Sequence, residues 1–291
     1  MTISVILPNY NHKHFLSEAL DAILSQSYLP TEILVIDDAS TDGSVELVQE
    51  YQKKHPFIHL YQNERNLGPP KTINMGIQKS KGTYLTFGSA NDYLFPSFLQ
   101  EAVIWMEKHP SMGICSGDVY FFKNKKPYFF KKCALNSSLK PSFFSPDEME
   151  KVIKKTSFFI HTSACLYRKE AVLQYQGYTE NLKHLADWYL NYLIALDHGV
   201  GYLPQPFAAF RFMKASYSYS LQSKRKIRNA LYEKLIENIE SLDTKKKDLF
   251  LKTGLLGQIG VHMIEYLLMR PSKWRYFSMA FYKKCHYFLK K

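Results

Sequence analysis

Cysteine is scarce and scattered in this sequence: Cys115, Cys133, Cys165 and Cys285 are the four in 291 residues, with no Cys-x-x-Cys pair. That spacing argues against a zinc site or a disulfide framework and suits a reducing cytosol. No run of about 18 apolar residues occurs, so no bilayer-spanning helix is expected. The opening MTISVILPNY enters a strand pattern at once, without a basic region and a long apolar core, so no signal peptide is expected. Internal repeats and low-complexity tracts are missing too. After the first strand stands Pro8-Asn9-Tyr10-Asn11-His12 rather than a Gly-x-Gly-x-x-Gly fingerprint. A dinucleotide-binding dehydrogenase loses most of its support there.

What is present is an ordinary globular composition, 46% hydrophobic and 15% aromatic, long enough for one large domain or two smaller ones. The net charge of +12 implies an acidic partner: nucleotide phosphates, nucleic acid or an anionic membrane surface.

The chain alternates strand and helix patterns. Ile3 to Leu7 is a buried-strand run, and Phe15, Leu16, Ala19, Leu20, Ile23 and Leu24 recur at helical spacing. Thr31 to Ile36 is a second strand, with a helix from Val45. His59 to Gln62 is a shorter third strand, with a helix over Lys71 to Lys79. Thr83 to Phe87 is a fourth, and Pro96 opens the next helix. Such an order with short loops predicts an α/β fold with a mostly parallel sheet flanked by helices and right-handed crossovers.

Ligands of such sheets sit beyond the carboxyl ends of the strands. The second strand delivers Asp37 and Asp38 there; the fourth ends in Gly88-Ser89-Ala90-Asn91-Asp92. Carboxylates at these places need partners or solvent. A purely structural role, with Asp38 or Asp42 capping the next helix, stays open on these residues alone.

Taken together, SVILPNYNH, EILVIDDASTDGS, NLGPPKTINMGIQKSKGTYLTF and the polar turn after them resemble the family 2 glycosyltransferases of GT-A, Rossmann-like fold, over roughly the first two-thirds of the chain. The resemblance implies a nucleotide-sugar-dependent, inverting transferase. It implies that Pro8 and Tyr10 line a nucleobase pocket, that Asp38 accepts a hydrogen bond from the base (typically uracil), and that Asp37 supports the pocket. Asn66, Gly68 and Asn74 match the Asn-x-Gly loop and the helix after it. An Arg common before Asn74 is Ile73 here, and Lys71 stands nearby as a point charge for phosphate. The family's Asp-x-Asp metal motif reads Ser89-Ala90-Asn91, followed by Asp92. A weaker Mg²⁺ or Mn²⁺ site on Asn91 and Asp92 is the expectation, with metal-independent catalysis or lost activity as alternatives.

Later elements are less regular. Cys115 to Lys132 reads as a hairpin in which Lys123, Lys125, Lys126, Lys131 and Lys132 interleave with aromatics. A solvated face is favoured there over single-stranded nucleic-acid binding. Phe158 to Tyr167 has a strand pattern; its His161 either faces an acceptor cleft or is structural. Asp187 opens a helix carrying Leu190, Leu193, Ile194 and Leu196 on one face. The resemblance implies that Asp187 is the catalytic base, where the family has Glu-Asp and this chain has Ala186-Asp187. Complementing the helix dipole is the alternative. Trp188 beside it either packs against a sugar face or fills core, with core favoured. Arg211 would meet the diphosphate by its planar fork. The His common two residues later is Met213, ahead of Ser216-Tyr217-Ser218.

Composition shifts near Ser220. The expected organisation is a GT-A domain over residues 1–219, split into a nucleotide-binding half (1–92) and an acceptor-binding half (93–219), then a helical extension over 220–291. That extension is expected to hold one helix from Lys224 and a second from about Lys246 to Met269. The tail from Trp274 to Lys291, aromatic and basic at helical spacing, suits an anionic lipid surface or, equally, docking on the domain or a homodimer partner.

The expected activity is transfer from a UDP-sugar to a hydroxyl of a glycan or lipid-linked saccharide in surface polysaccharide synthesis. It would take place in the cytoplasm or on the inner face of the cell membrane, with no nucleic-acid partner. A non-catalytic nucleotide-sugar or glycan-binding module is the alternative.

Overall fold

The computed structural model describes residues 1–122, 131–132, 140–155, 158–211, 213 and 217–283. Lys123, Lys125, Lys126, Cys133, Cys285, Phe212, Ser216 and the tail beyond 283 lie outside the described residues, as do the side chains of Lys131 and Lys132.

Contacts divide the chain into two units, Met1–Phe143 with Ile160–Met213, and Phe144–Phe159 with Lys214–Lys291. The later boundary between the units falls at 213/214, and the second unit also takes in the segment from Phe144 to Phe159.

The first unit opens with β1 (Ile3–Asn9), α1 (Lys13–Leu24), β2 (Glu32–Asp37), α2 (Ser44–Lys54), β3 (Ile58–Gln62), α3 (Pro69–Lys79) and β4 (Tyr84–Phe87). It continues with β5 (Tyr93–Leu94), α4 (Phe98–Lys108), β6 (Ile114–Phe122), β7 (Lys131–Lys132) and β8 (Ser142–Phe144). The last of these reaches the first residue of the second unit, which continues as α5 (Pro146–Lys155). Back in the first unit follow β9 (Cys165–Arg168), α6 (Lys169–Gln174), α7 (Ala186–His198) and β10 (Val200–Arg211).

Among the described residues one sheet runs in the order β3-β2-β1-β4-β9-β6-β10-β5. Its first four strands are parallel, as the alternating pattern predicts. β9 then runs antiparallel to both β4 and β6, which makes the sheet mixed beyond that point. β1, β2 and β4 are buried on both faces, as strands sandwiched between helix layers must be. The core gathers Val5, Leu7, Leu20, Ile33 and Val35 with Phe98, Leu99 and Met106 of α4.

The run Phe158 to Tyr167 is not one strand. A 3-10 turn, Thr162–Ala164, precedes β9, and Ala164 N–H donates to the His161 carbonyl at 2.9 Å. The expected hairpin is represented by the pairing of Tyr120 with Lys132 and Phe121 with Lys131.

The second unit contains α8 (Tyr217–Gln222), α9 (Arg225–Glu240), α10 (Thr244–Thr253) and α11 (Val261–Leu268). The single helix expected from Lys246 to Met269 is broken. Gly254 and Gly260 hold φ of 66° and 105°, a region that ends right-handed helix and that L side chains rarely adopt. At Gly254 the chain also passes so close to Phe281 that a Cβ would meet its backbone nitrogen at 2.2 Å. Leu235, Ile236, Ile239, Phe250, Leu256, Met263 and Leu267 form this unit's interior. Among the described residues no helix is long and apolar enough to cross a membrane.

Candidate active site

β1, β2 and β4 end side by side. Asn9 pairs in register with Asp37, and Gly88 N–H donates to the Ile6 carbonyl at 2.9 Å, so the loops carrying Tyr10, Asp38 and Asn91 leave one edge of the sheet. Asp37 is buried with both oxygens satisfied. Asn9 Nδ2 donates to Oδ2 at 2.8 Å and Ser40 N–H to Oδ1 at 2.8 Å. Asn11 and Ala39 take positive φ, 53° and 65°, a costly conformation for residues with a Cβ. Cross-bonds hold both turns: Asn11 N–H reaches Ser40 Oγ at 2.9 Å and Thr41 N–H reaches Asn11 Oδ1 at 2.8 Å. Beside this braced pair, Pro8, the last residue but one of β1, is half-buried and Tyr10 is 45% exposed, an aromatic residue on a rigid support.

Asp38 serves the neighbouring loop. Its Oδ1 accepts from Asn63 Nδ2 at 2.7 Å and Leu67 N–H at 2.8 Å, and its Oδ2 from Gly68 N–H at 2.8 Å. Three of a carboxylate's roughly four acceptor sites are thus filled by protein. The loop so pinned presents Asn66 to solvent and leads into α3. Lys71 in the first turn of α3 is half-exposed and lies 3.7 Å from Glu180. Asn74 turns the other way and brackets Tyr178, donating to its carbonyl at 2.9 Å and accepting from its N–H at 2.7 Å. Ile73 is core. Asp42 is the residue that serves the helix starts: it accepts from Ser44 N–H at 3.0 Å and Lys13 N–H at 2.8 Å.

Arg211 lies where the 89–92 turn can be clamped. Its backbone N–H donates to Asp92 Oδ1 at 3.1 Å, and its Nε to the Asn91 carbonyl at 3.2 Å. Its NH2 group pairs with Glu18 at 2.9 Å, and its guanidinium is sandwiched 4.5 Å from the Phe15 ring and 4.4 Å from Phe122. The side chain is 6% exposed. The fork expected to meet a diphosphate is already engaged with this turn and with α1. Met213 Sδ accepts from Asn91 Nδ2 at 3.3 Å.

These donors make a poor cage for a hard cation. Asn91 Oδ1 is taken by the Ser89 hydroxyl at 2.5 Å, and Asp92 Oδ2 by Ser163 at 3.4 Å. Burial pushes the Asp92 carboxyl up to about 7, partly opposed by its bonds from Arg211 and Ser163, so it is only partly ionised at neutral pH. A divalent ion bridging a diphosphate wants charged oxygens. No group of three or more His, Cys, Asp or Glu side chains able to hold a metal occurs among the described residues. The residues present do not fit the Mg²⁺ or Mn²⁺ that the family resemblance implies.

Asp187 lies in the first turn of α7. Its Oδ1 accepts from Trp188 N–H at 2.7 Å and its Oδ2 from the Thr162 hydroxyl at 3.2 Å. Burial pushes its carboxyl up, and those two bonds oppose the shift. The 3-10 turn therefore touches both carboxylates, Asp92 through Ser163 and Asp187 through Thr162. Trp188 is buried beside Tyr192, as expected of core. The His161 ring lies tilted against Phe210, and burial lowers it to about 4, which keeps it neutral at pH 7. Sequence reasoning missed Asn9, Glu18, Asn63, Thr162 and Ser163. Their importance comes from partners distant in sequence, and no local motif marks them.

An α/β sheet with this loop edge is the architecture of nucleotide-sugar transferases of GT-A fold, and solved structures bear out the fold. Staphylococcus aureus TarS, residues 1–349 in complex with UDP, superposes with a TM-score of 0.65 at 17% identity, over 89% of this chain and 71% of that one. A mannosyltransferase of Pyrobaculum calidifontis, solved with GDP-Man and Mn²⁺, gives 0.61 at 19% identity over 94% and 71%. The family profile described as glycosyl transferase family 2 matches residues 4–175, and the chain belongs to that family. Among curated relatives, an uncharacterised glycosyltransferase of Haemophilus influenzae is 34% identical over 36% of this chain and 42% of its own length. Glycosyltransferase GlyA of Streptococcus pneumoniae is 28% identical over 74% of this chain and 31% of its own. The chain thus spans less than two thirds of the length of these curated relatives.

Proposed function

We propose that this chain transfers a sugar, with inversion, from a nucleotide-diphosphate sugar to a hydroxyl of a glycan or lipid-linked saccharide. The observation that carries the reading is Asp187: a half-buried carboxylate held by Trp188 and Thr162 and tied through one short turn to the 89–92 loop. A base in that position takes the proton of the acceptor hydroxyl as its oxygen attacks the anomeric carbon, and the nucleoside diphosphate departs. General-base catalysis contributes roughly 10²–10⁴-fold.

Tyr10 and the Asp37–Asp38 turn form the nucleotide wall, with Pro8 and Asn66 at its rim. Asp38 acts there by holding the Leu67–Gly68 backbone while one acceptor site remains for a base edge. Lys71 supplies positive charge near the phosphates. Arg211 shapes the 89–92 turn rather than binding phosphate directly. Since Asn91 and Asp92 do not make a cation cage, no step is assigned to a metal.

Support for a UDP-sugar comes from TarS, solved in complex with UDP and with UDP-GlcNAc. Surface polymers are suggested by two relatives, the poly(ribitol-phosphate) beta-N-acetylglucosaminyltransferase TarS of Staphylococcus aureus and a putative teichuronic acid biosynthesis glycosyltransferase of Bacillus subtilis. A screen of UDP- and GDP-sugars with glycan acceptors tests the reading. UDP binding without turnover of any donor would favour the non-catalytic module.

A second feature favours attachment to the inner face of the membrane. In the second unit Leu268, Met269, Trp274, Met279 and Tyr282 are exposed over a short stretch. Aromatic and apolar side chains of this kind insert at a lipid interface. Lys273 and Arg275 are paired with Glu233 and Glu240, so the apolar residues rather than free charge would drive binding. Co-sedimentation with vesicles of anionic lipid, reduced by Trp274→Ser with Met279→Ser, is the expected result; a stable dimer in solution instead would assign the patch to a second copy.

A further inference from the structure

Behind Asp187 lies a buried series of polar side chains that the transfer reaction does not itself require. Asn191, one turn along α7, is 1% exposed. Its Oδ1 accepts from the Tyr167 hydroxyl at 2.7 Å. Its Nδ2 donates to the Ile160 carbonyl at 3.3 Å and to Thr162 Oγ1 at 3.0 Å. Thr162 in turn donates to Asp187 Oδ2 at 3.2 Å.

The direction of each bond follows from what the groups can do. A backbone carbonyl only accepts, so the amide must turn its NH₂ end to Ile160, and that end also faces Thr162. The opposite amide orientation would set two acceptors against each other. The Thr162 oxygen therefore accepts a hydrogen bond from Asn191, and its own O–H donates to Asp187 Oδ2, with the Tyr167 and Tyr178 hydroxyls also close to it. Tyr167, fully buried, donates its O–H to Asn191 Oδ1 and heads the series.

We propose that Asn191 and Thr162 are positioning residues that hold a one-way chain of hydrogen bonds, Tyr167 to Asn191 to Thr162 to Asp187, which keeps Asp187 oriented and ionised as an acceptor. The proposal rests on the reading of Asp187 as the base. Burial alone drives this carboxyl toward its protonated form, which cannot accept a proton from the sugar hydroxyl. A donated hydrogen bond to the ionised form works against burial. The titratable groups that feel Asp187 are Cys165 on β9 and Tyr178 after α6. Burial raises both, so they are neutral at pH 7 and supply no positive charge in place of the chain.

The test uses the intact chain with ¹³C-labelled aspartate carboxyls, the Asp187 signal being identified by its loss in Asp187→Asn. Thr162→Val removes the donated proton with little change of shape, and it should raise the Asp187 titration midpoint by about one pH unit. Thr162→Ser keeps the hydroxyl and should leave the midpoint where it is. Asn191→Leu frees the Thr162 proton to turn away and should shift the midpoint in the same direction as Thr162→Val. An unmoved midpoint in folded Thr162→Val overturns the proposal, and the Val and Ser pair decides it should Asn191→Leu not fold. The readout needs no sugar donor. Failure here is therefore distinct from failure of the base assignment, which the transfer activity of Asp187→Asn decides.

Discussion

Asp92 and Asp187 hang on adjacent residues of one 3-10 turn, Ser163 donating to the first at 3.4 Å and Thr162 to the second at 3.2 Å. The loop at the end of β4 and the start of α7, distant in sequence, are thereby fixed by the same short piece of backbone. Burial raises both carboxyls. What separates their roles is their remaining partners. Asp92 is bound by the Arg211 backbone and faces the clamp; Asp187 is bound at its helix start and by a hydroxyl.

Arg211 is expected to be a stability residue before it is a ligand residue. Arg211→Ala removes the ion pair with Glu18 and opens the space between Phe15 and Phe122. A loss on the order of 3 kcal/mol is expected, as for breaking a largely buried ion pair. Urea unfolding measures it. Weakened UDP binding with unchanged stability would instead make Arg211 a phosphate ligand.

Asp92 should leave a signature in stability against pH. Its folded carboxyl titrates near 7, against 3.8 for the free group, so between those values the folded state binds more protons than the unfolded one. Stability contributed by this group is therefore greatest at low pH, declines as pH rises through that window, and levels off above about 7. Asp92→Asn does not titrate. The difference in melting temperature, variant minus unmodified protein, should grow from pH 4 to pH 7; a difference that does not change with pH contradicts the raised carboxyl.

Asp38→Ala removes the acceptor for Asn63, Leu67 N–H and Gly68 N–H together. A loss of about 1–3 kcal/mol is expected from stranded partly buried donors. UDP affinity should fall with it, because Asn66 is presented by the same loop. Calorimetric titration with UDP, beside urea unfolding, reads both.

The donor set at the β4 end can be restored by substitution. Ser89→Asp with Asn91→Asp returns the charged oxygens that a divalent ion wants. Titration of Mn²⁺ into the UDP-saturated protein should show tighter binding in the double variant than in the unmodified chain. Equal affinity would mean that the cation is held by groups other than these.

Much of the nucleotide half was legible in the sequence because its logic is local. A buried-strand run ending in carboxylates places Asp37 and Asp38 at a sheet edge whatever the rest of the chain does, and the alternation of periods predicts the parallel order of β1 to β4. The antiparallel entry of β9 was not legible, since Cys165–Arg168 is short and its pairing partners are remote. The Arg211–Glu18 pair and the Thr162–Asp187 bond likewise join residues that no local pattern connects. In the second unit apolar spacing runs straight through Gly254 and Gly260. Periodicity alone therefore predicts one helix where two positive-φ glycines impose a break.

The central claim is that Asp187 is the base, and the most direct test is sugar transfer by Asp187→Asn beside its affinity for UDP. Loss of turnover by roughly 10²–10⁴-fold with UDP affinity unchanged is the predicted result. Transfer at the unmodified rate would contradict the account.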